Sequence, residues 1–375
     1  MVLFLHNRYR TTGGEERAVA ELIALVRERL GEPAQLLERD SARLGRGRAA
    51  AGLLRGGLAP GDVGKAVRMM GARVVHAHNL NPMFGWRALA AARDEGARVV
   101  LHLHQYRLVC ANGVCFTGGQ ECTRCHGRNT LPGVIHNCRG GRGEALAYGA
   151  ALAMWQRRTA DCADAVIVPS AFARERLREL GAPLDWGRVH VVPPPVRPVE
   201  RPAAVESGAY ALVVSRLAPE KGVEVAIDAC RAAGVPLVIA GDGPLREELQ
   251  ARAEGADARF AGQVDGAELA RLRAGAALAI VPSRSAETFG IAAAEAMAAG
   301  LPVVASRVGA LPELVPEEWL VEVGDAVELA EAIGRLWGDA AAAARARERV
   351  GALCAPELVA AKLRDIYGTG EPSDS

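Results

Sequence analysis

The sequence predicts an α/β protein built from two doubly wound domains, and three observations carry that expectation. Short, uninterrupted apolar runs rich in Val, Ile and Leu recur along the chain with helical stretches between them, as parallel strands buried on both faces require. The runs fall into two series, split by the proline-dense segment PPPVRPVERPAAVESG at residues 193–208, which suits neither helix nor strand. The length, 375 residues, matches two domains of ordinary size.

The chain opens MVLFLHNRYR, and Val2–Leu5 reads as a first strand, not as a signal peptide, because no cleavage site follows. Glu15–Leu30 reads as helix. Arg73–Ala77, Val99–Leu103, Ala165–Val168 and Val189–Val192 complete the first series of strands. The second series is Ala211–Val214, Leu237–Ala240, Ala277–Val281 and Pro302–Ala305, with helices at Pro244–Ala253 and Ile291–Ala299. The expected layout is a first domain over 1–193 with a cysteine-rich loop at 110–138, a linker at 194–207, and a second domain over 208–352. A C-terminal helix at 353–368 is expected to pack back on the first domain. Ligands of such folds bind at the carboxyl ends of the strands, here in a crevice between the two domains.

Half the residues are hydrophobic, 24% are charged and the net charge is +1, the balance of a soluble globular protein with ample core. That argues against bulk electrostatic binding of nucleic acid. No apolar run reaches transmembrane length. The expected location is the cytoplasm, with the inner face of the membrane as the alternative. Only Lys65, Lys221 and Lys362 stand among 45 basic residues, so each lysine merits inspection.

The second domain carries the most chemistry. In ALVVSRLAPEKGVEVAI a strand ends at Ser215 and a helix starts near Gly222, which puts Arg216 and Lys221 in the turn between them. Two cations beside a helix N-terminus make an anion site suited to a diphosphate. In LVIAGDGPLREEL, Gly241 and Gly243 allow close backbone approach and Pro244 fits a first helical position. In FAGQVDGAELARL, Asp265 or Gly266 starts a further helix. ETFGIAAAEAMAAG, residues 287–300, places two glutamates eight apart. On one helix they would stand about 12 Å apart along the axis, beyond the ~9.5 Å limit of a hydrolytic carboxylate pair. Glu287 therefore belongs to a loop and Glu295 to the helix that follows, each positioned to accept hydrogen bonds from vicinal hydroxyls. The N–H groups of Phe289, Gly290 and Ile291 at the helix start are further donors.

Taken in order, Ser215-Arg216…Lys221-Gly222, Gly241-Asp242-Gly243-Pro244, the Gly262–Asp265 turn and Glu287-x7-Glu295 resemble family 4 of the retaining glycosyltransferases, of GT-B fold. The resemblance covers nearly the whole chain. It implies that Arg216 and Lys221 hold the diphosphate of a nucleotide-sugar donor, Glu295 the ribose hydroxyls, and Glu287 with Phe289 and Gly290 the donor sugar. The backbone near Val264 would touch the base. Gly13 and Gly14, in NRYRTTGGEERAV, would bring backbone to the phosphates and acceptor, and His104, in VVLHLHQYRLVCANG, would be an active-site histidine. A histidine just past a strand can equally be a packed or capping residue, and His78-Asn79 is a second candidate. The implied reaction is transfer of a hexosyl unit with retention, by front-face attack, from a UDP-sugar first and a GDP-sugar next. The acceptor would be a hydroxyl of a glycan, a lipid-linked molecule or a small molecule. No metal or cofactor is needed for it, and no Asp-x-Asp metal motif is present. A GT-B nucleotide-sugar epimerase and a non-catalytic nucleotide-sugar binder are the rival readings.

CANGVCFTGGQECTRCHGRNTLPGVIHNC packs five cysteines into one segment. Cys122-x2-Cys125 flanked by Cys110 and Cys138 has the character of a four-thiolate structural zinc site, a set that a subset of the family resembles. Cys115, His126 and His136 are alternates, and unligated thiols are the competing reading. Arg39, Arg43, Arg46, Arg48 and Arg55 stand against Asp40 alone, either to meet an anionic acceptor or membrane surface or as a solvated loop. EALAYGAALAMWQRR reads first as a buried helix, with a peripheral membrane contact as the alternative.

Overall fold

In the computed structural model, which describes residues 1–8, 14–199 and 201–368, the chain folds as two compact units. The first comprises Met1–Thr117, Cys122–Pro195 and the stretch from Pro356 onward; the second comprises Gly118–Glu121 and Val196–Ala355. Each contains a six-stranded sheet whose paired strands all run parallel.

The strands of the first unit are β1 (Val2–Arg8), β2 (Ala34–Asp40), β3 (Val74–Ala77), β4 (Arg98–His102), β5 (Ala165–Val168) and β6 (Val189–Val191), in the order β2-β1-β3-β4-β5-β6. Strand periodicity divides β1 between two cores. Leu3 and Leu5 join Val75, Val99 and Leu101 on one face, while Val2 and Phe4 join Val74 and Val100 on the other. Helix Pro356–Tyr367 belongs to this second face: Val359, Leu363, Ile366 and Tyr367 pack into it. Arg98 donates to the Ile366 carbonyl at 2.7 Å and Lys362 to the Val191 carbonyl at 3.1 Å, which tie the helix to the sheet.

The basic segment differs from its expectation. Arg39 is an internal strut: it donates to the carbonyls of Leu58 and Met83 at 2.6 and 3.0 Å and pairs with Asp62 at 3.2 Å. Residues Arg46–Arg55 form a helix rather than a loop, ending at Gly56 in the left-handed region. Helix Arg142–Asp161 is half-buried, with Tyr148 and Leu152 inward and Leu146 and Met154 exposed.

The second unit contains β7 (Tyr210–Val214), β8 (Leu237–Ala240), β9 (Ala258–Gly262), β10 (Ala276–Val281), β11 (Val303–Ser306) and β12 (Leu320–Val321), ordered β9-β8-β7-β10-β11-β12. The order reverses between β7 and β10, which makes the carboxyl ends of those two strands the topological switch point of the sheet. Among the described residues, no helix is long and apolar enough to cross a membrane.

Candidate functional site

The loops after β7 and β10 meet at that switch point. After β7 the chain passes Arg216, makes a short turn at Pro219–Lys221, and enters helix Val223–Ala233 through Gly222 at φ 62°. A Cβ on Gly222 would lie 2.1 Å from the Pro282 carbonyl oxygen, so only glycine lets the two loops close on each other. The Glu220 carbonyl accepts the N–H groups of Arg284 and Ser285 at 2.9 and 3.2 Å, which stitches the loops together.

Glu287 sits in the β10 loop, as expected, and its carboxylate is the hub. Lys221 Nζ donates to Oε1 at 2.6 Å and Ser283 Oγ donates to the same oxygen at 2.6 Å. The loop after β11 holds its backbone: the Ala310 N–H donates to the Glu287 carbonyl at 2.9 Å, and a Cβ on Gly309, at φ 63°, would come within 2.4 Å of the Glu287 nitrogen. Burial pushes the Glu287 carboxyl upward, but the Lys221 ammonium, the Ser283 hydroxyl and Arg216 outweigh it, leaving the pKa below the ordinary carboxylate range. Arg216 pairs with the Glu220 carboxylate, and its side chain remains about half exposed.

Glu295 lies on helix Ile291–Ala298, which starts after Gly290 at φ 93°. It is engaged by a different cation, Arg273, so the two glutamates are held separately. Phe289 is half-buried against the core beside them, and Ile291 is the first helical residue. Gly243 packs under the β7 loop, where a Cβ would meet the Leu217 carbonyl oxygen at 2.4 Å. Pro244 departs from its expected place: the helix begins at Arg246, because residues 244 and 245 are spent on the turn. Val264 is half-buried just ahead of Asp265, which caps helix Gly266–Ala274 by accepting the Glu268 N–H at 2.8 Å. Gly14 opens helix Gly14–Arg29, and Gly13 lies outside the described residues.

His104 sits in the first unit, in a network of imidazoles that sequence reading took singly. His78 Nδ1 and His104 Nε2 are 2.7 Å apart, His76 Nε2 and His102 Nδ1 3.2 Å, and His76 Nδ1 and the Tyr367 hydroxyl 2.7 Å. His102 and His104 stack at 4.2 Å between ring centroids. Burial drives His76 and His104 down to about 3, and drives His78 and His102 well below the usual histidine range. All four are neutral near pH 7. His104 is thus a hydrogen-bonding group, not a base poised near the working pH. The available signal was the pair of H-x-H segments, HAH and HLH, because alternate residues share a strand face. Ser283 and Arg273 were also missed.

The five clustered cysteines, with His136, line one small pocket of the first unit. The Cys110 thiol, hydrogen-bonded by Cys115 and by backbone N–H groups, is brought down to about 6 against the opposing effect of burial. Burial pushes Cys125 up to about 11 and raises Cys138 as well. Among the described residues, His76, His78 and His102 have ligand atoms that all lie within 4.8 Å of one another.

Residues 11–195 match the family described as "Glycosyl transferase 4-like domain" and residues 208–339 that described as "Glycosyl transferases group 1". The chain is 39% identical over 172 residues to the GDP-mannose-dependent alpha-(1-6)-phosphatidylinositol dimannoside mannosyltransferase of Mycobacterium tuberculosis, a match covering 42% of this chain and 45% of that one. It is 38% identical over 108 residues to the sulfoquinovosyl transferase of Arabidopsis thaliana, covering 28% of this chain and 21% of that relative. The matched segments therefore span less than half the length of these curated relatives. Among solved structures, sucrose-phosphate synthase from Thermosynechococcus elongatus is similar with a TM-score of 0.70 at 20% identity, covering 98% of both chains. HepE of Anabaena in complex with UDP is similar with a TM-score of 0.64 at 18% identity, covering 98% of this chain and 100% of that one. The two parallel-sheet α/β units are those of the GT-B fold.

Proposed function

Because a glycosyl transferase 4-like domain here precedes a glycosyl transferases group 1 domain, we propose that this chain moves a hexosyl unit from a nucleoside-diphosphate sugar to an acceptor hydroxyl, with retention. The observation that carries the reading is the Lys221–Glu287–Ser283 cluster at the switch point, with Arg216 beside it. Arg216 and Lys221 supply positive charge where a leaving diphosphate develops negative charge. Glu287, kept ionised by Lys221, accepts hydrogen bonds from the donor sugar. Glu295, held by Arg273, accepts from the ribose, and the backbone near Val264 touches the base. The N–H groups at Phe289, Gly290 and Ile291, and backbone at Gly13, Gly14 and Gly243, complete the donor contacts. His104, neutral, orients a hydroxyl by hydrogen bonding; the acceptor's own oxygen attacks on the face the diphosphate leaves. UDP is the first expected base carrier and GDP the next; HepE was solved in complex with UDP, and the Mycobacterium tuberculosis relative is GDP-mannose-dependent. No catalytic metal enters this scheme. The cysteines 110, 122, 125 and 138, with Cys115 as alternate, are the residues that would hold a structural zinc ion, whose chemistry would be to cross-link the loop.

Calorimetry of UDP and GDP against Arg216→Ala and Lys221→Ala tests the site. Each loses a charge-assisted contact worth about 1.5–3 kcal/mol. Unchanged nucleotide affinity in both folded variants would sink the assignment.

A further inference from the structure

Three helices of the first unit present apolar side chains to solvent with arginines at their edges. Among the described residues, twelve large apolar side chains are exposed, and five of them, Leu54, Leu131, Ile135, Leu146 and Met154, lie on these helices. Helix Arg142–Asp161 runs in the middle. On one flank its Ala147, Ala151 and Trp155 share a small apolar cluster with Leu53 of helix Arg46–Arg55, and Trp155 Nε1 donates to the Leu54 carbonyl at 3.1 Å. On the other flank Gly149 faces helix Leu131–Ile135, where a Cβ on it would lie 2.9 Å from Val134. Between the flanks Leu146, Ala150 and Met154 follow one another at a spacing of four, with Arg142 one turn before them and Arg157 one turn after.

Helix Arg46–Arg55 repeats the pattern. Helical spacing puts Leu54 and Gly47 together on its outward side, with Arg46 on one edge and Arg48 and Arg55 on the other. The three helices carry six arginines and two acids, whereas the whole chain balances 45 basic residues with 44 acidic ones. Both acids are engaged, Glu144 by Arg139 at 2.7 Å and Asp161 by Arg157 at 3.8 Å. Single apolar residues scattered over a surface are ordinary, but a cluster edged by one sign of charge marks an interaction face.

The character of the side chains selects the partner. None of the exposed large apolar residues is aromatic, whereas protein interfaces are anchored chiefly by Trp, Tyr and Arg set in packed pockets. Aliphatic tips on helix crests, edged by guanidinium groups on long stems, suit acyl chains below and lipid phosphates above. We infer that this face docks the first unit on a membrane surface rich in anionic lipid. The contact is interfacial, because no described helix is long and apolar enough to cross a membrane. Through Leu53, Leu152 and Trp155 the same two longer helices line the hollow beside His104, so docking brings that hollow within about a helix breadth, ~10 Å, of the headgroups. The inference does not depend on the glycosyl-transfer reading.

The test is co-sedimentation of the full chain with vesicles, of phosphatidylcholine alone and of phosphatidylcholine mixed equally with phosphatidylglycerol. The chain should prefer the mixed vesicles, and salt at about 1 M should weaken the binding. Each arginine at such a surface is worth about fivefold, so Arg46→Gln combined with Arg48→Gln should weaken binding about 25-fold. Leu146→Gln and Ile135→Gln, at side chains 61% and 70% exposed, should each weaken it about tenfold without disturbing the fold. Val327→Gln, at a position equally exposed on the second unit, should leave it unchanged. No preference for the mixed vesicles, an equal loss in Val327→Gln, or unchanged binding in both Leu146→Gln and Ile135→Gln would overturn the inference. So would a dimer in sedimentation velocity that these two substitutions dissolve, which would assign the face to a second copy of the chain. A chain that binds UDP or GDP and ignores vesicles would refute this inference and leave the transferase reading standing.

Discussion

Acidification from pH 7.0 to 5.5 should strip much of the stability from the first unit, through its stacked histidines. His76, His78, His102 and His104 are all held neutral by burial, with folded pKa values far below an unfolded value near 6.5. The unfolded chain then binds more protons than the folded one. Stability is complete above about pH 6.5 and drains as the pH falls toward about 3, the folded value of His76 and His104. Across that pH interval each imidazole takes up about 0.6 proton on average on unfolding, which removes about 1.3 kcal/mol. Four together remove about 5 kcal/mol, from a total that for a domain is only about 5–15 kcal/mol. Few neighbours oppose this. Glu16, 3.8 Å from His6, raises His104 slightly, and Tyr367, bonded to His76, is itself pushed up by burial and stays uncharged. Urea titrations at stepped pH, read by hydrogen exchange of the segment 73–104, measure the proton uptake as the slope of stability against pH. His102→Asn should reduce that slope by about 0.6 proton. A stability independent of pH between 7.0 and 5.5 would mean that the cluster carries charge in the folded state, and the argument would fail.

Three further outcomes are expected. Glu287→Gln should lower kcat by on the order of a hundredfold, for a contact of ~3 kcal/mol realised in the transition state, whereas Glu295→Gln should chiefly raise the donor KM; steady-state kinetics at saturating acceptor separates them, and the reverse pattern would show the roles exchanged. Gly309→Ala should cost about 1–3 kcal/mol, from a side chain forced into a left-handed φ against the Glu287 backbone, and should cut turnover as well; a thermal melt and an assay showing neither loss would refute the bracing role. If the cysteines hold zinc, elemental analysis should find about one equivalent and chelation should lower Tm; metal-free protein of equal stability would leave the thiols without a metal role.

The sheet strands buried on both faces were legible because their side chains must be apolar at every position, as in β5 and β10. The edge strands β2 and β9 were not, although Val189–Val192 at the edge of the first sheet was. In β2, AQLLERD, most side chains meet solvent, so the apolar run that marks a strand is absent, and ARFAG of β9 sits at the opposite sheet's edge for the same reason. Glu287 in a loop and Glu295 on a helix followed from helical rise alone, and the structure has them so. What could not be read was which cation each would meet. Lys221 and Glu287 are 66 residues apart, and Arg273 precedes Glu295 by 22, distances that only the closed fold collapses. Arg39 was misjudged for a related cause, since its anchors at Leu58 and Met83 are backbone carbonyls, which no side-chain pattern reveals.

The packing of helix Pro356–Tyr367 into the first sheet has a consequence for the order of synthesis. Phe4, His76 and Val100 face a side of β1, β3 and β4 that this helix covers, so the ribosome releases those strands long before their cover exists. At about 5–20 residues per second, the roughly 165 residues between β6 and the helix take some 8–33 s to emerge. During that interval the nascent first unit shows an apolar face to whatever is nearby, while the second unit, continuous from Val196 to Ala355 but for Gly118–Glu121, can complete itself. The chain is therefore built to finish its later half first, and a ribosome stalled before residue 356 would present a client for a chaperone.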